Sequence, residues 1–243
     1  MKLVFEFTKT GALIYISHLD LTRLFLRVLR MSGLRPSYSH GFNPHPKMSF
    51  VLPLSLGLHS ICELLEFEIE SMDNNDMKLN TAYITASVAV ANERLPEGVS
   101  ITSWSIKPDS VQKPLASYAA ACTYEIMCEG VKDAPGKLTV FFSQKIIIAQ
   151  KADKKTKTLV DKDIREDMLG YRVVKDMPGR MLAEASLSAS PGRTLGPLVF
   201  FNAFCEASGL ERDKLSPVIT RTAILDNEGR PLRERCFGKK DGW

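Results

Sequence analysis

Apolar and polar residues alternate at the start of the chain. Leu3, Phe5 and Phe7 fall on one side of an extended segment, and Val4 and Glu6 on the other. That period of two predicts a strand over Leu3–Phe7 with one buried face. Ser17-x-x-Asp20 then resembles a capping box, and the pattern after it changes to a helical one that Gly33 ends near Ser32. Leu21, Phe25 and Val28 mark the core face of this helix. Residues 34–46 are rich in Pro, Ser, His, Gly and Asn and predict a loop. A short strand over Lys47–Pro53, a strong one over Glu63–Glu70, a small-residue helix over 75–92 and a strand over Val99–Ile106 follow. The order is β-α-β-β-α-β, the split βαβ or ferredoxin-like unit.

The second half repeats that order with an insertion. Strands are predicted over Ser117–Cys128, Lys145–Gln150, Thr158–Asp161, Leu182–Ser188 and Val218–Leu225, and helices over Pro135–Gln144 and Pro197–Ser208. Asp163–Lys175 is left open by its pattern. The expected fold class is therefore α+β: two tandem ferredoxin-like units, one over 1–107 and one, carrying the insertion, over 115–243. Lys107–Pro114 is expected to link them, and the basic segment Arg230–Lys240 to form a flexible arm or a soluble end.

The 243 residues contain 44% hydrophobic and 25% charged residues, which excludes disorder, collagen and coiled coil for the chain as a whole. The five cysteines are scattered and include no CxxC pair, so free thiols are expected. No apolar run approaches the roughly 20 residues of a membrane helix, and the N-terminus reads as a strand. The expected setting is the cytoplasm, with no membrane partner and no cofactor.

Charge is unevenly placed. Residues 1–60 carry seven Lys or Arg against two Asp or Glu; residues 61–110 carry three against nine; the remainder carries twenty-two against seventeen. All four histidines lie in the first block. This asymmetry points to an anionic partner for the N-terminal region.

Arg23, Arg27 and Arg30 share a wedge of roughly 60° at 100° per residue and form one basic stripe. Arg35, Asn43, His45 and Lys47 continue it into a loop stiffened by Pro44 and Pro46. Each guanidinium fork suits phosphate or carboxylate, and a rigid loop displaying Asn, His and Lys suits recognition, with His45 able to act as acid, base or phosphate donor. The same residues equally suit a solvated helix face and a capped turn. The four histidines lack HxH or HxxxH spacing, so no metal site is expected. Glu66, Glu68, Glu70 and Glu6 would make the open face of the first sheet acidic and repel phosphate, which excludes base stacking on that face. A second anion site is expected at Gly192, Arg193 and Thr194 before a helix, although the turn lacks the P-loop spacing.

The stretch SHLDL (Ser17–Leu21) and the loop GFNPHPK (Gly41–Lys47) resemble the radical SAM-linked protein family, a bacterial domain of unknown function found alone or fused to a cobalamin-type radical SAM domain. The resemblance extends more weakly through Ser190–Leu195 to Val218–Thr222. It singles out His18, Asp20, Asn43, His45 and Lys47; the family often has Gln in place of His40. It implies a radical SAM enzyme encoded nearby as partner, and genes for ribonucleases and ribosomal proteins as neighbours. The chain itself has no CxxxCxxC triad for a radical SAM cluster.

Three readings follow. The first is an accessory protein that binds RNA or a ribonucleoprotein through Arg23, Arg27, Arg30, Arg35, Asn43, His45 and Lys47. The second is a protein-interaction module that docks the enzyme by its acidic sheet. The third is a metal-independent endoribonuclease with His18 and His45 as acid and base.

Overall fold

A computed structural model describes residues 1–70, 81–152, 158–177 and 179–238. The chain divides into two units, Met1–Ala119 with Arg230–Trp243, and Ala120–Gly229. In the first, β1 (Lys2–Lys9), α1 (His18–Met31), β2 (Met48–Phe50), β3 (His59–Glu68), α2 (Thr81–Arg94) and β4 (Val99–Ile106) follow in order. β1 pairs antiparallel with both β3 and β4, and β2 pairs antiparallel with β3. Across the sheet the strands therefore run β4-β1-β3-β2. The first residues of the helix expected over 75–92, through 80, lie outside the described residues.

One face of this sheet carries the core. Phe7 meets Phe25 of α1 edge-on at 4.8 Å and Phe50 at 5.8 Å, and Phe5 meets Phe67 at 4.9 Å. Edge-to-face pairs of this kind add to simple burial. The small side chains Ser87 and Ala91 are buried on α2. Gly33 follows α1 at φ +88, and its carbonyl accepts a hydrogen bond from Tyr83 Oη at 3.2 Å. A Cβ there would lie 2.4 Å from that oxygen, so glycine is needed for conformation and for space.

The other face corrects the sequence expectation. Val4 and Glu6 are buried as fully as Phe5 and Phe7, so β1 is covered on both sides. Lys107 Nζ reaches Glu66 Oε1 at 2.7 Å and the carbonyl of Lys113 at 2.7 Å. Glu66 Oε2 accepts the Leu115 backbone N–H at 2.9 Å. Arg233 Nε donates to Glu6 Oε1 at 2.8 Å; these two side chains are 14% and 4% exposed. Leu232 is fully buried, and the Arg235 guanidinium lies 4.5 Å from the Tyr118 ring centroid.

At Glu6 and Glu66 the acidic face is thus covered and neutralised, while Glu70 is exposed. The expected linker, Lys107–Pro114, belongs to the first unit. So does the described part of the expected arm, which includes the short helix α5 (Glu234–Phe237). The physical reason is common to all three: carboxylates on a covered sheet face demand cations, and these segments bring them.

In the second unit the order is β5 (Ala121–Glu129), α3 (Ala134–Ser143), β6 (Ile148–Ala152), β7 (Leu159–Asp163), β8 (Met168–Met177), β9 (Arg180–Ser188), α4 (Pro197–Ala207) and β10 (Val218–Leu225). Antiparallel pairing gives β10-β5-β9-β8, while β6 and β7 pair with each other. Phe141 of α3 packs edge-on against Phe200 and Phe204 of α4, at 5.7 and 5.6 Å. The strand expected from Ser117 begins at Ala121, because Leu115–Tyr118 turns as a 3-10 helix. The strand expected over Lys145–Gln150 starts at Ile148 and belongs to the β6-β7 hairpin. The open stretch Asp163–Lys175 forms most of β8.

Removing the Arg233 side chain leaves Glu6 buried and unpaired. Arg233→Ala is expected to cost about 3 kcal/mol or more in urea unfolding, and the double change Glu6→Leu/Arg233→Met to recover most of it. An Arg233→Ala protein of unchanged stability would show that the C-terminal segment does not secure this sheet.

Candidate nucleic-acid interface

α1 begins on a working cap. Ser17 Oγ accepts the Asp20 backbone N–H at 3.1 Å and donates to Asp20 Oδ2 at 2.7 Å. That hydroxyl, aided by Arg23, holds the Asp20 carboxyl below its ordinary range. Asp20 is therefore accounted for by helix capping. His18, the first helical residue, sets its ring edge-on to Phe50 at 5.2 Å.

The arginine stripe lies on the exposed side of α1. Arg23, Arg27 and Arg30, with Leu26 and Met31, line an open depression of about 410 Å³. Arg23 Nη1 pairs with Asp20 Oδ1 at 3.1 Å, but both side chains are more than half exposed. Such a pair is screened and holds Arg23 weakly. Arg30 Nη2 hydrogen-bonds Tyr38 Oη, and its guanidinium carbon lies 5.6 Å from the Tyr38 ring centroid. The helix and the loop are joined by this contact. Among the described residues Arg27 makes no side-chain hydrogen bond or ion pair.

The loop is a hydrogen-bonded hairpin. Ser39 N–H donates to the His45 carbonyl at 2.8 Å, His45 N–H to Ser39 Oγ at 2.9 Å, and Lys47 N–H to the Ser37 carbonyl at 2.8 Å. Its base is tied to β3 by the Ser37 N–H, which donates to the Glu68 carbonyl at 2.7 Å. The tip, residues 40–44, is exposed throughout. His40, Asn43 and His45 all point their side chains into no recorded partner among the described residues.

Phe42, in the middle of the tip, is fully exposed. The sequence reading passed over it. The signal was available: an aromatic residue between Gly41 and Asn43-Pro44 has no neighbours at helical or strand spacing to form a core face.

Of the two expected binding residues that flank the loop, Lys47 has its charge committed and Arg35 does not. Lys47 Nζ pairs with Glu68 Oε1 at 2.9 Å and braces the loop base against β3. That lysine holds the Glu68 carboxyl below its usual range. Arg35 is exposed; its backbone carbonyl accepts the Glu70 N–H at 3.0 Å, and its guanidinium has no partner among the described residues. The structure therefore brings Arg23, Arg27 and Arg30 onto one helix face and connects that face to the loop through Tyr38.

At the anion site expected at Gly192, Arg193 and Thr194, the arginine and the threonine have partners within the protein. Arg193 Nε donates to Asp167 Oδ1 at 3.0 Å, and Nη2 to the Glu166 carbonyl at 2.9 Å. The Asp167 side chain is 4% exposed and also takes Lys162 Nζ at 2.9 Å. Thr194 Oγ1 donates to the Ser190 carbonyl at 3.2 Å, closing the turn that Gly192 makes at φ +80. The buried Asp167 carboxylate engages the arginine, whose side chain remains 52% exposed.

The ribonuclease pair also lacks its geometry. No hydrogen bond joins His18 to His45 among the described residues, and no carboxylate orients either ring. All five cysteines are free and buried. Burial pushes the Cys205 and Cys236 thiols up to about 11, so neither is a thiolate nucleophile near neutral pH. Among the described residues no three His, Cys, Asp or Glu side chains gather as a metal site. No helix among them is long and apolar enough to cross a membrane.

The fold and surface define a two-unit α+β protein with a cationic helix and a stiff loop. Residues 2–197 match the family described as "Uncharacterized protein conserved in bacteria (DUF2344)", and the chain belongs to that family. No curated protein matches it. Among solved structures it is similar to a chain of a Cbf5-Nop10-Gar1 complex, with TM-score 0.49 and 10% identity over 91% of this chain and 48% of that one. It is also similar to a chain of an H/ACA RNP bound to a substrate RNA containing 2'-deoxyuridine, with TM-score 0.47, 9% identity, and coverage of 91% and 47%. A third likeness is to the archaeal box H/ACA sRNP Nop10-Cbf5 complex, with TM-score 0.45, 9% identity, and the same coverage. The chain spans about half the length of these solved chains.

The contrast between free and committed arginines is measurable. Arg27→Ala is expected to leave the free energy of urea unfolding within about 0.5 kcal/mol of that of the natural protein. Arg193→Ala, which strips a partner from buried Asp167, is expected to cost about 2 kcal/mol. Equal losses would mean that Arg27 is as structural as Arg193.

Proposed function

We propose that this protein binds RNA, alone or within a ribonucleoprotein, through the exposed face of α1 and the adjoining hairpin loop, and performs no chemistry on it. One observation carries the reading. Several cations elsewhere in these units are paired with carboxylates, among them Lys107 with Glu66, Arg233 with Glu6 and Arg193 with Asp167. Arg27 and Arg35 are exposed and lack an acidic partner among the described residues. Uncompensated guanidinium groups on one surface form a site for a polyanion.

The competing readings fare less well. The protein-docking reading required an exposed acidic sheet, and Glu6 and Glu66 are buried in ion pairs. The ribonuclease reading required a coupled acid and base. The resemblance to radical SAM-linked proteins adds a radical SAM enzyme as the partner to which the RNA is presented. The architecture fits a tandem ferredoxin-like reading: β4-β1-β3-β2 and β10-β5-β9-β8 share one strand order, with β6-β7 as the insertion. On this proposal the units are those of the fold, 1–119 with the C-terminal segment and 120–229.

Fluorescence anisotropy with labelled single-stranded RNA tests the function. With three or four arginines engaged, log affinity is expected to fall against log salt with a slope of roughly −2 to −3. Arg27→Glu/Arg35→Glu is expected to weaken binding tenfold or more and to flatten that slope. Binding that is indifferent to both salt and this double change would overturn the proposal. RNA incubated in EDTA is expected to stay intact; cleavage abolished by His45→Ala would replace the proposal with the nuclease reading.

A further inference from the structure

Phe42 is the most exposed large hydrophobic side chain among the described residues; the next, Tyr15, keeps 71% of its surface in solvent. A single exposed apolar residue is ordinary on a protein surface. What sets Phe42 apart is the effort spent on its support. The Ser39–His45 and Ser37–Lys47 backbone bonds close the hairpin beneath it, and Tyr38 and Pro46 form a β-bridge at the same level. Gly41, immediately before it, sits at φ +126, a conformation that L side chains rarely adopt. Pro44 and Pro46 fix φ on the return strand. The ring is held out on a stiff support, so little conformational entropy remains to be lost when something covers it.

The neighbouring groups say what covers it. Phe has no polar handle, so it neither binds phosphate nor satisfies a backbone group. Its flat π-face accepts another flat face. The residues around it in the loop are His40, Asn43 and His45, whose side chains are hydrogen-bonding partners for base edges. Arg30 is anchored to the loop at Tyr38, and Arg35 precedes the loop stem. A ligand that presents a planar ring together with successive negative charges is a nucleic-acid strand with an unpaired base. Bases inside a duplex have both faces occupied by their neighbours and cannot meet Phe42.

We propose that Phe42 is a stacking platform for an unpaired base of single-stranded RNA, whose phosphates run along the Arg23, Arg27 and Arg30 face of α1. This rests on the RNA-binding reading above and adds the strandedness of the substrate and the residue that selects it. The three arginines span seven residues of helix, about 10 Å at 1.5 Å per residue. That length serves a few nucleotides of an extended strand.

The experiment compares a labelled single-stranded RNA of roughly 12 nucleotides, within the range of known single-strand sites, with the same strand annealed to its complement. The expected result is tighter binding of the single strand. Phe42→Ala is expected to weaken that binding roughly five- to hundredfold and to change duplex binding less than twofold. Phe42→Trp is expected to restore it, because the indole keeps the π-face. The side chain is fully exposed, so neither change threatens folding, and matched thermal unfolding curves confirm this. Phe42→Ala binding within twofold of the natural protein, or a duplex bound as tightly as the single strand, overturns the stacking proposal. If Arg27→Glu/Arg35→Glu still abolishes binding in that case, the polyanion reading stands without it. Failure of the natural protein to bind either form removes both readings and leaves Phe42 as an anchor for a protein partner.

Discussion

Two carboxylates on a covered sheet face constrain the first unit. Glu6 on β1 and Glu66 on β3 lie on the side of the sheet away from the Phe7–Phe25 core, and both are withdrawn from water. An ionised carboxylate in such a place is costly unless it meets a cation and further donors. Arg233 arrives from more than two hundred residues away in sequence to meet Glu6. Lys107 arrives from the end of β4 to meet Glu66, and the Leu115 N–H takes the second oxygen. The path of the chain after β4, and its return at Leu232, follow from this requirement. A sheet with apolar residues at positions 6 and 66 would have had no need of either segment's charge.

The same requirement shapes the surface that remains. Cations drawn to buried acids are unavailable to ligands, and Lys107, Arg233 and Arg193 are of that kind. Lys47 is intermediate, since its ion pair with Glu68 leaves it partly exposed while it braces the loop. Among the cations that this leaves exposed, Arg23, Arg27 and Arg30 are gathered on one helix face, with Arg35 shortly after it. No Asp or Glu lies between Leu21 and Cys62 in sequence. Local acids to quench these arginines are therefore missing from their own segment, apart from Asp20, which the Ser17 cap already engages. The basic character of the helix face is a consequence of where acids were placed, and not only of where arginines were.

Local periodicity made most of the elements legible in the sequence. β1, α1, β4, α4 and β10 lie where hydrophobic alternation and capping residues place them, because those signals act over a few residues. The errors share another cause. β1 was expected to bury one face, since Glu6 reads as a solvent-facing residue until Arg233 is seen beside it. Lys107–Pro114 reads as a linker and Arg230–Lys240 as an arm, because prolines and charges are what such segments contain. Arg193 reads as an anion ligand until Asp167 is found within reach of it. In each case a long-range ion pair decides, and nothing within a dozen residues announces it. The candidate site was legible to the extent that it is local: the stripe and the loop are both short-range patterns. The ion pair of Lys47 was not legible, because its partner Glu68 sits on β3.

Phe42 shows the opposite limitation. Its role depends on having no partner, and a sequence motif reports which residues are present, not which are left uncovered. The GFNPHPK loop reads first as a place for histidine chemistry, because imidazoles are the reactive groups in it. The folded loop changes the emphasis. Its hydrogen bonds run through the backbone of residues 37–47 and the Ser39 hydroxyl, its prolines remove freedom, and among the described residues its histidines have no orienting carboxylate. A catalytic loop would spend its rigidity on aligning a proton donor with an acceptor. This one spends it on holding out an exposed ring. Such a support suits the stacking role proposed for Phe42 better than proton transfer.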